Sequence, residues 1–127
     1  MRSAIPDARL ILASTSPRRR EILSRLGARF DVVAPIGVDE SSVSGEPEDV
    51  ARVLAARKAV SVLETVDDDD RIAVLGADTV VAVRGRGGWD LLGSPSSPPE
   101  ARRMLRLLSG RRHEVWTAVA LACPRRA

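Results

Sequence analysis

Tyrosine, asparagine and glutamine do not occur in this chain of 127 residues, and cysteine, histidine and lysine occur once each, as Cys123, His113 and Lys58. A lone cysteine excludes an internal disulfide, and with a lone histidine it excludes a Cys/His zinc cluster. Aromatics are scarce: Phe30, Trp89 and Trp116 are too few for a base-stacking surface on nucleic acid. No apolar run approaches the roughly 18 residues that a membrane span needs. No charged-then-apolar leader opens the chain, because Ile5 runs into Pro6-Asp7. A soluble chain in a reducing cytoplasm, with no membrane partner, is the expectation.

What is present is arginine. Of the 20 basic residues 19 are arginine, against 17 acidic ones, for a formal charge of +3. The high pI of 10.3 reflects arginine more than net charge. With no Asn, Gln or Tyr, this bias reads as a GC-rich coding background. It does not point to nucleic acid as the partner. Hydrophobic residues at 44% and charged residues at 29% are ordinary for a globular chain, and the length suits one domain over 1–127.

Residues 9–14 (RLILAS) read as a buried strand, stopped by Ser14-Thr15-Ser16-Pro17. Ser16 is a good N-cap and Pro17 suits the first helical position. Ile22, Leu23 and Leu26 share a helical face, and Gly27 is a C-terminal stop. A second strand is expected at 30–34, then a polar loop from Pro35 to Pro47. Pro47 opens a longer helix with Val53, Ala56, Val60 and Leu63 on one face. The acidic run 67–70 reads as a solvated turn. Strands are expected at 72–75 and 79–83, separated by Gly76-Ala77-Asp78, and 79–92 reads as a hairpin. Ser97 with Glu100 makes a capping-box pattern, with Met104, Leu105 and Leu108 as that helix's apolar face. A last strand runs over 115–122. The order β-α-β-α-β-β-β-α-β implies an α/β layered fold with a mixed sheet.

Four groups can carry chemistry. Ser14-Thr15-Ser16-Pro17-Arg18-Arg19-Arg20 leads a strand into a helix N-terminus crowded with arginines. Free N–H groups, hydroxyls and guanidinium forks there suit a phosphate. Three cations at that end oppose the helix dipole unless an anion is bound, which favours an anion site over a capped helix with solvated arginines. Asp78 follows an apolar strand, where it can hold a metal, take a proton from water, or simply close a turn. Asp39-Glu40, on a loop, would with Asp78 suit a hard divalent cation, or be solvated. Lys58, inside a helix, is either a point charge for phosphate or a chance survivor. His113 reads as structural, Trp116 as core and Trp89 as hairpin packing.

Together these segments resemble the Maf family of nucleoside triphosphate pyrophosphatases, the septum formation inhibitor proteins. The resemblance rests on Leu10-Ile11-Leu12-Ala13-Ser14-Thr15-Ser16-Pro17-Arg18-Arg19-Arg20, Asp39-Glu40-Ser41, Ala56-Arg57-Lys58-Ala59 and Leu75-Gly76-Ala77-Asp78-Thr79-Val80-Val81. Leu108-Ser109-Gly110 and His113-Glu114-Val115-Trp116-Thr117-Ala118-Val119-Ala120-Leu121 continue it. It implies a mixed, twisted sheet flanked by helices, as in the Maf and inosine triphosphatase folds. It also implies cleavage between the α and β phosphates of a nucleoside triphosphate, with Mg²⁺ or Mn²⁺ as cofactor. Carried over, Asp78 matches the general base, and Glu40 and Lys58 match residues handling metal and phosphates. Ser14, Ser16, Arg18 and Arg19 match the phosphate-binding and substrate-selecting loop. Glu40 and Asp78 are the metal candidates, and base and ligand roles for Asp78 stay open. Arg18 and Thr79 fit the branch that cleaves dTTP and UTP. A homodimer is the assembly that the resemblance adds. Two departures accompany it. Gly93-Ser94-Pro95 stands where the family has Gly-Lys-Pro, removing one cation. The family also continues past Ala127 through a region that completes sheet and cleft, so a truncated domain with exposed core is expected. The alternative function is a catalytically impaired remnant that binds nucleotide or a partner in cell-division control.

Overall fold

The apolar run at 10–13 has no polar residue to turn outward, so it becomes an interior strand. That strand, β1 (Arg9–Ala13), buries Ile11, Leu12 and Ala13 completely or nearly so. The computed structural model describes residues 9–66 and 71–124; the expected acidic turn at 67–70 lies outside them. Helix α1 (Pro17–Arg25) starts where Ser16 Oγ accepts from Arg19 N, and Gly27 follows its end at φ 80°, a conformation glycine takes without strain. Strand β2 (Asp31–Val33) and a single 3₁₀ turn (Glu40–Ser42) lead to α2 (Pro47–Leu63). Then come β3 (Ile72–Gly85), β4 (Gly88–Leu92), α3 (Pro98–Leu108) and β5 (His113–Ala122).

The five strands form one mixed sheet ordered β2-β1-β3-β4, with β5 on the remaining edge of β3. β1 is parallel to both β2 and β3, whereas β4 and β5 are antiparallel to β3. The α/β class expected from sequence is what the chain adopts. The two strands expected at 72–75 and 79–83 are instead one strand, β3, unbroken through Gly76-Ala77-Asp78. From sequence, Gly76 is expected to stand in the break between those two strands. Its actual role is to let α2 approach, since a Cβ there would lie 2.8 Å from Ala59 N and closer still to the Ala55 carbonyl oxygen. The long partner β5 pairs with β3 from Val74 to Val83 and holds it straight across that point.

The face of α2 also differs from expectation. Val53 and Val60 are 38% and 44% exposed, and Ala56 is exposed. The buried face is Val50, Ala51, Leu54, Ala55, Ala59 and Val62. Apolar residues surround this helix, so periodicity does not single out a face. Packing chooses the side with Ala51, Ala55 and Ala59, because small residues permit contact with the sheet at Gly76. One core cluster joins Ile11, Ala13, Ala59, Val62, Ile72 and Val74; a second joins Val50, Ala51, Leu54 and Val80. Each large aliphatic side chain buried there contributes about 1.5–3 kcal/mol.

The other two helices bury nothing fully. Ile22 on α1 and Leu26, its C-cap, are 53% and 75% exposed, and Leu105 on α3 is 67% exposed, so their expected apolar faces are only partly covered. Trp116, expected in the core, is exposed, with its indole N–H donating to Glu114. Trp89 does pack the hairpin, its ring lying under the Arg84 guanidinium. The capping box forms by half: Ser97 Oγ accepts from Glu100 N, while the Glu100 carboxylate turns to Ser96. No helix among the described residues is long and apolar enough to cross a membrane.

Candidate functional site

The pairing pattern of β3 leaves a gap. β5 occupies one edge continuously, so β1 and β4 share the other. β1 leaves that edge at Gly76 and β4 joins it at Val81, so, among the described residues, 77–80 have a strand neighbour on one side only. This interruption lies beyond the carboxyl end of β1, where parallel gives way to antiparallel pairing. Strand ends of this kind are where α/β sheets collect ligands. Asp78 and Thr79 stand in the gap and border a cleft of about 140 Å³, with Arg19, Glu40 and Lys58 on its walls.

Lys58 is the centre of the charge arrangement. Its Nζ lies 2.7 Å from Asp78 Oδ1 and 2.8 Å from Glu40 Oε1. The Asp78 and Lys58 side chains are 7% and 15% exposed, while Glu40 is 52% exposed. Lys58 is carried here by the same turn of α2 that presses Ala55 and Ala59 onto Gly76. Burial works against its ammonium, but the hydrogen bonds and charges of Asp78 and Glu40 outweigh it and hold its pKa above the ordinary lysine value. Burial pushes the Asp78 carboxyl above the ordinary carboxylate value, and the Glu40 charge adds to this. Lys58 and Arg19 pull Asp78 the other way without cancelling the shift.

The other residues singled out in the sequence separate into two groups. Arg19 reaches the cleft and donates from Nη2 to Thr79 Oγ1 at 2.8 Å. Ser14, Ser16 and Arg18 do not line it. Ser14 is buried, its Oγ accepting from Ser16 N at 3.0 Å, and Ser16 caps α1. These two hydroxyls build the turn that carries Arg19. Arg18 and Arg20 are exposed. Asp39 stays outside the charge cluster: it accepts from Ser41 N and Oγ and starts the 3₁₀ turn that presents Glu40. His113 is exposed at the start of β5, and Cys123 is exposed beyond its end. Thr117, which sequence reasoning passed over, lies 2.9 Å from Thr79, Oγ1 to Oγ1. Only the β3–β5 register, which sets Thr79 opposite Thr117, makes it visible.

Two carboxylates that converge on a single ammonium also suit a small divalent cation. Mg²⁺ takes one or two carboxylates and fills its remaining positions with water and substrate phosphate. Glu40 and Asp78 supply oxygen donors of that kind and number. Beside them, Arg19 and Lys58 are the cations lining the cleft, and Ser94 lines it without charge.

Over residues 9–127 the sequence matches the family described as Maf-like protein. The chain belongs to that family. Among curated relatives of this Maf-like chain, a dTTP/UTP pyrophosphatase of Shewanella oneidensis is 47% identical over 119 residues, covering 89% of this chain and 59% of the relative. A dTTP/UTP pyrophosphatase of Thermomicrobium roseum is 52% identical, covering 92% of this chain and 51% of its own length. The Maf-like chain thus spans little more than half the length of the curated relatives it matches. A solved nucleoside-triphosphatase, a dITP/XTP pyrophosphatase from Mycobacterium abscessus, aligns at TM-score 0.44 and 14% identity over 91% of this chain and 73% of its own, a likeness too low to bear on fold or function.

Proposed function

We propose that this Maf-like chain carries the catalytic centre of a nucleoside triphosphate pyrophosphatase acting on dTTP or UTP. The carrying observation is Lys58 Nζ held between Asp78 and Glu40, with Arg19 beside them in the same cleft. Relatives bearing the name dTTP/UTP pyrophosphatase, at 42–52% identity, support the substrate class. Arg19 and Lys58 balance the anionic phosphates. Asp78, its carboxyl raised by burial, accepts a proton from the attacking water. The water oxygen bonds to the α-phosphorus, the bond from that phosphorus to the bridging oxygen breaks, and pyrophosphate leaves with the electron pair. Glu40 and Asp78 would hold a divalent cation such as Mg²⁺ or Mn²⁺, which when bound stabilises negative charge on the phosphates. Ser14 and Ser16 hold the loop that aims Arg19, and Arg18, exposed on the same helix, is assigned to the nucleotide by the family resemblance alone.

The test is pyrophosphate release from dTTP, UTP, 7-methyl-GTP and dITP with Mg²⁺ or Mn²⁺. Metal-dependent release that favours dTTP and UTP and falls by about 10²-fold or more in Asp78→Asn is expected. Undiminished turnover in Asp78→Asn would remove the assigned base. Nucleotide binding without release, by folded protein, would replace this reading with a non-catalytic binder.

A further inference from the structure

Three side chains from three separate elements meet on the face of β3 at the cleft. Arg19 comes from α1, Thr79 from β3 and Thr117 from β5. Arg19 Nη2 donates to Thr79 Oγ1 at 2.8 Å, and Thr79 Oγ1 lies 2.9 Å from Thr117 Oγ1. A guanidinium only donates, so Thr79 Oγ1 must accept from it. The second bond, to Thr117, then restrains the Thr79 hydroxyl, which would otherwise turn freely toward solvent. Thr117 does not line the cleft, whereas Arg19 and Thr79 do.

α1 itself has little to fix this arginine. Its apolar side chains are largely exposed, and no residue of the helix is fully buried. The sheet, by contrast, pairs Thr79 with Thr117 directly across an antiparallel ladder in the middle of its longest strand pair. The Arg19 fork is therefore held less by its own helix than by Thr79 on the sheet, which Thr117 restrains in turn.

We propose that Thr117 is a positioning residue, which restrains Thr79 and through it holds the Arg19 guanidinium ready for a phosphoryl anion of the substrate. The catalytic part of this inference rests on the pyrophosphatase reading; the positioning part does not. Arranging the guanidinium before binding lowers the ordering cost of capture, so the effect belongs in substrate affinity. The same arrangement keeps Arg19 close enough for its charge to be felt at Asp78.

Thr117→Val and Thr117→Ser separate the hydroxyl from the shape. Val keeps the β-branched outline and suits a strand, so the fold is retained. Ser keeps the hydroxyl. The first readout needs no nucleotide: side-chain ¹⁵N NMR of Arg19, assigned by its loss in Arg19→Lys. Hindered guanidinium rotation is expected in the wild type and in Thr117→Ser, and faster, averaged rotation in Thr117→Val. The second is steady-state cleavage of UTP. In Thr117→Val, KM is expected to rise about fivefold, the worth of one modest hydrogen bond, with a smaller change in kcat. Thr117→Ser is expected to restore KM. An unchanged Arg19 signal in Thr117→Val would overturn the proposal, as would a Ser variant that behaves like Val. A wild type that releases no pyrophosphate would sink the hydrolase reading instead, and the nucleotide-free NMR would still decide the role of Thr117.

Discussion

Replacing Gly76 with alanine tests whether fold and site share one contact. The backbone of Gly76 does not have the positive φ of Gly27 or Gly110, so alanine meets no conformational barrier there. Alanine would even stabilise a strand interior by roughly 0.5–1 kcal/mol relative to glycine. Only space opposes it. The new Cβ would fall 2.8 Å from Ala59 N and 2.9 Å from Ala59 Cβ, with the Ala55 carbonyl oxygen nearer still. Two of these three neighbours are helix backbone, which cannot rotate away as a side-chain tip can. α2 must retreat by several tenths of an ångström, opening the core clusters it shares with the sheet. Overpacking of this kind costs about 1–3 kcal/mol, and a backbone clash belongs at the upper end. After the propensity gain, a net loss of about 2 kcal/mol remains, which for a domain of this size lowers the melting temperature by ~6–12 °C. Lys58 rides on the displaced turn, so its bonds to Asp78 and Glu40 loosen together with the core. Urea and thermal unfolding followed by tryptophan fluorescence measure the first effect, and nucleotide affinity the second. Gly87→Ala is the control, because a Cβ there meets nothing within 4 Å. It should stay within about 0.5 kcal/mol of the wild type. A Gly76→Ala midpoint as little changed as that of the control would refute the idea that glycine is required for the helix–sheet approach.

Two further predictions follow from the charges. Lys58→Met leaves Asp78 and Glu40 facing each other without their shared ammonium. The expected loss is about 2–3 kcal/mol at pH 8, less than the ~3–5 kcal/mol for a fully buried pair because Glu40 is half-exposed. That loss should shrink toward pH 5 as Asp78, whose pKa burial holds above the ordinary carboxylate value, takes up a proton; chemical denaturation at both pH values checks this, and a pH-independent loss would count against the arrangement. In the wild type the raised Lys58 pKa gives a contribution fully present below the ordinary lysine value of about 10.4 and lost as pH rises through the folded value. Asp39 behaves in the opposite sense. The Ser41 hydroxyl and amide lower its pKa, so its contribution is present above about 3.9 and is lost as pH falls through the depressed folded value. Asp39→Asn should flatten the acid limb of the stability–pH curve below that point, and an unaltered limb would show that the cap is not formed in solution.

Much of the chain could be read from local rules. Ser16 and Pro17, Pro47, and Ser97 and Pro98 start helices where capping chemistry places them, and the apolar run before Ser14 is the interior strand. These features depend on a few neighbouring residues, so sequence suffices. The special standing of Lys58 and Asp78 was legible too, through a motif set that resembles one family. What lay beyond local reading depended on distant partners. Residues 72–85 form one strand because β5 spans the glycine. α2 turns its alanines inward because Gly76 receives them, a choice that its nearly all-round apolar surface does not encode. Of three consecutive arginines at a helix start, only Arg19 enters the cleft, because Thr79 waits for it on another element. Thr117 gains a role only through strand register. Sequence by itself determined which residues can start, stop and charge each element; tertiary structure decided which faces and side chains meet, since a contact across 20 or 60 positions is set by packing and pairing and by no local preference.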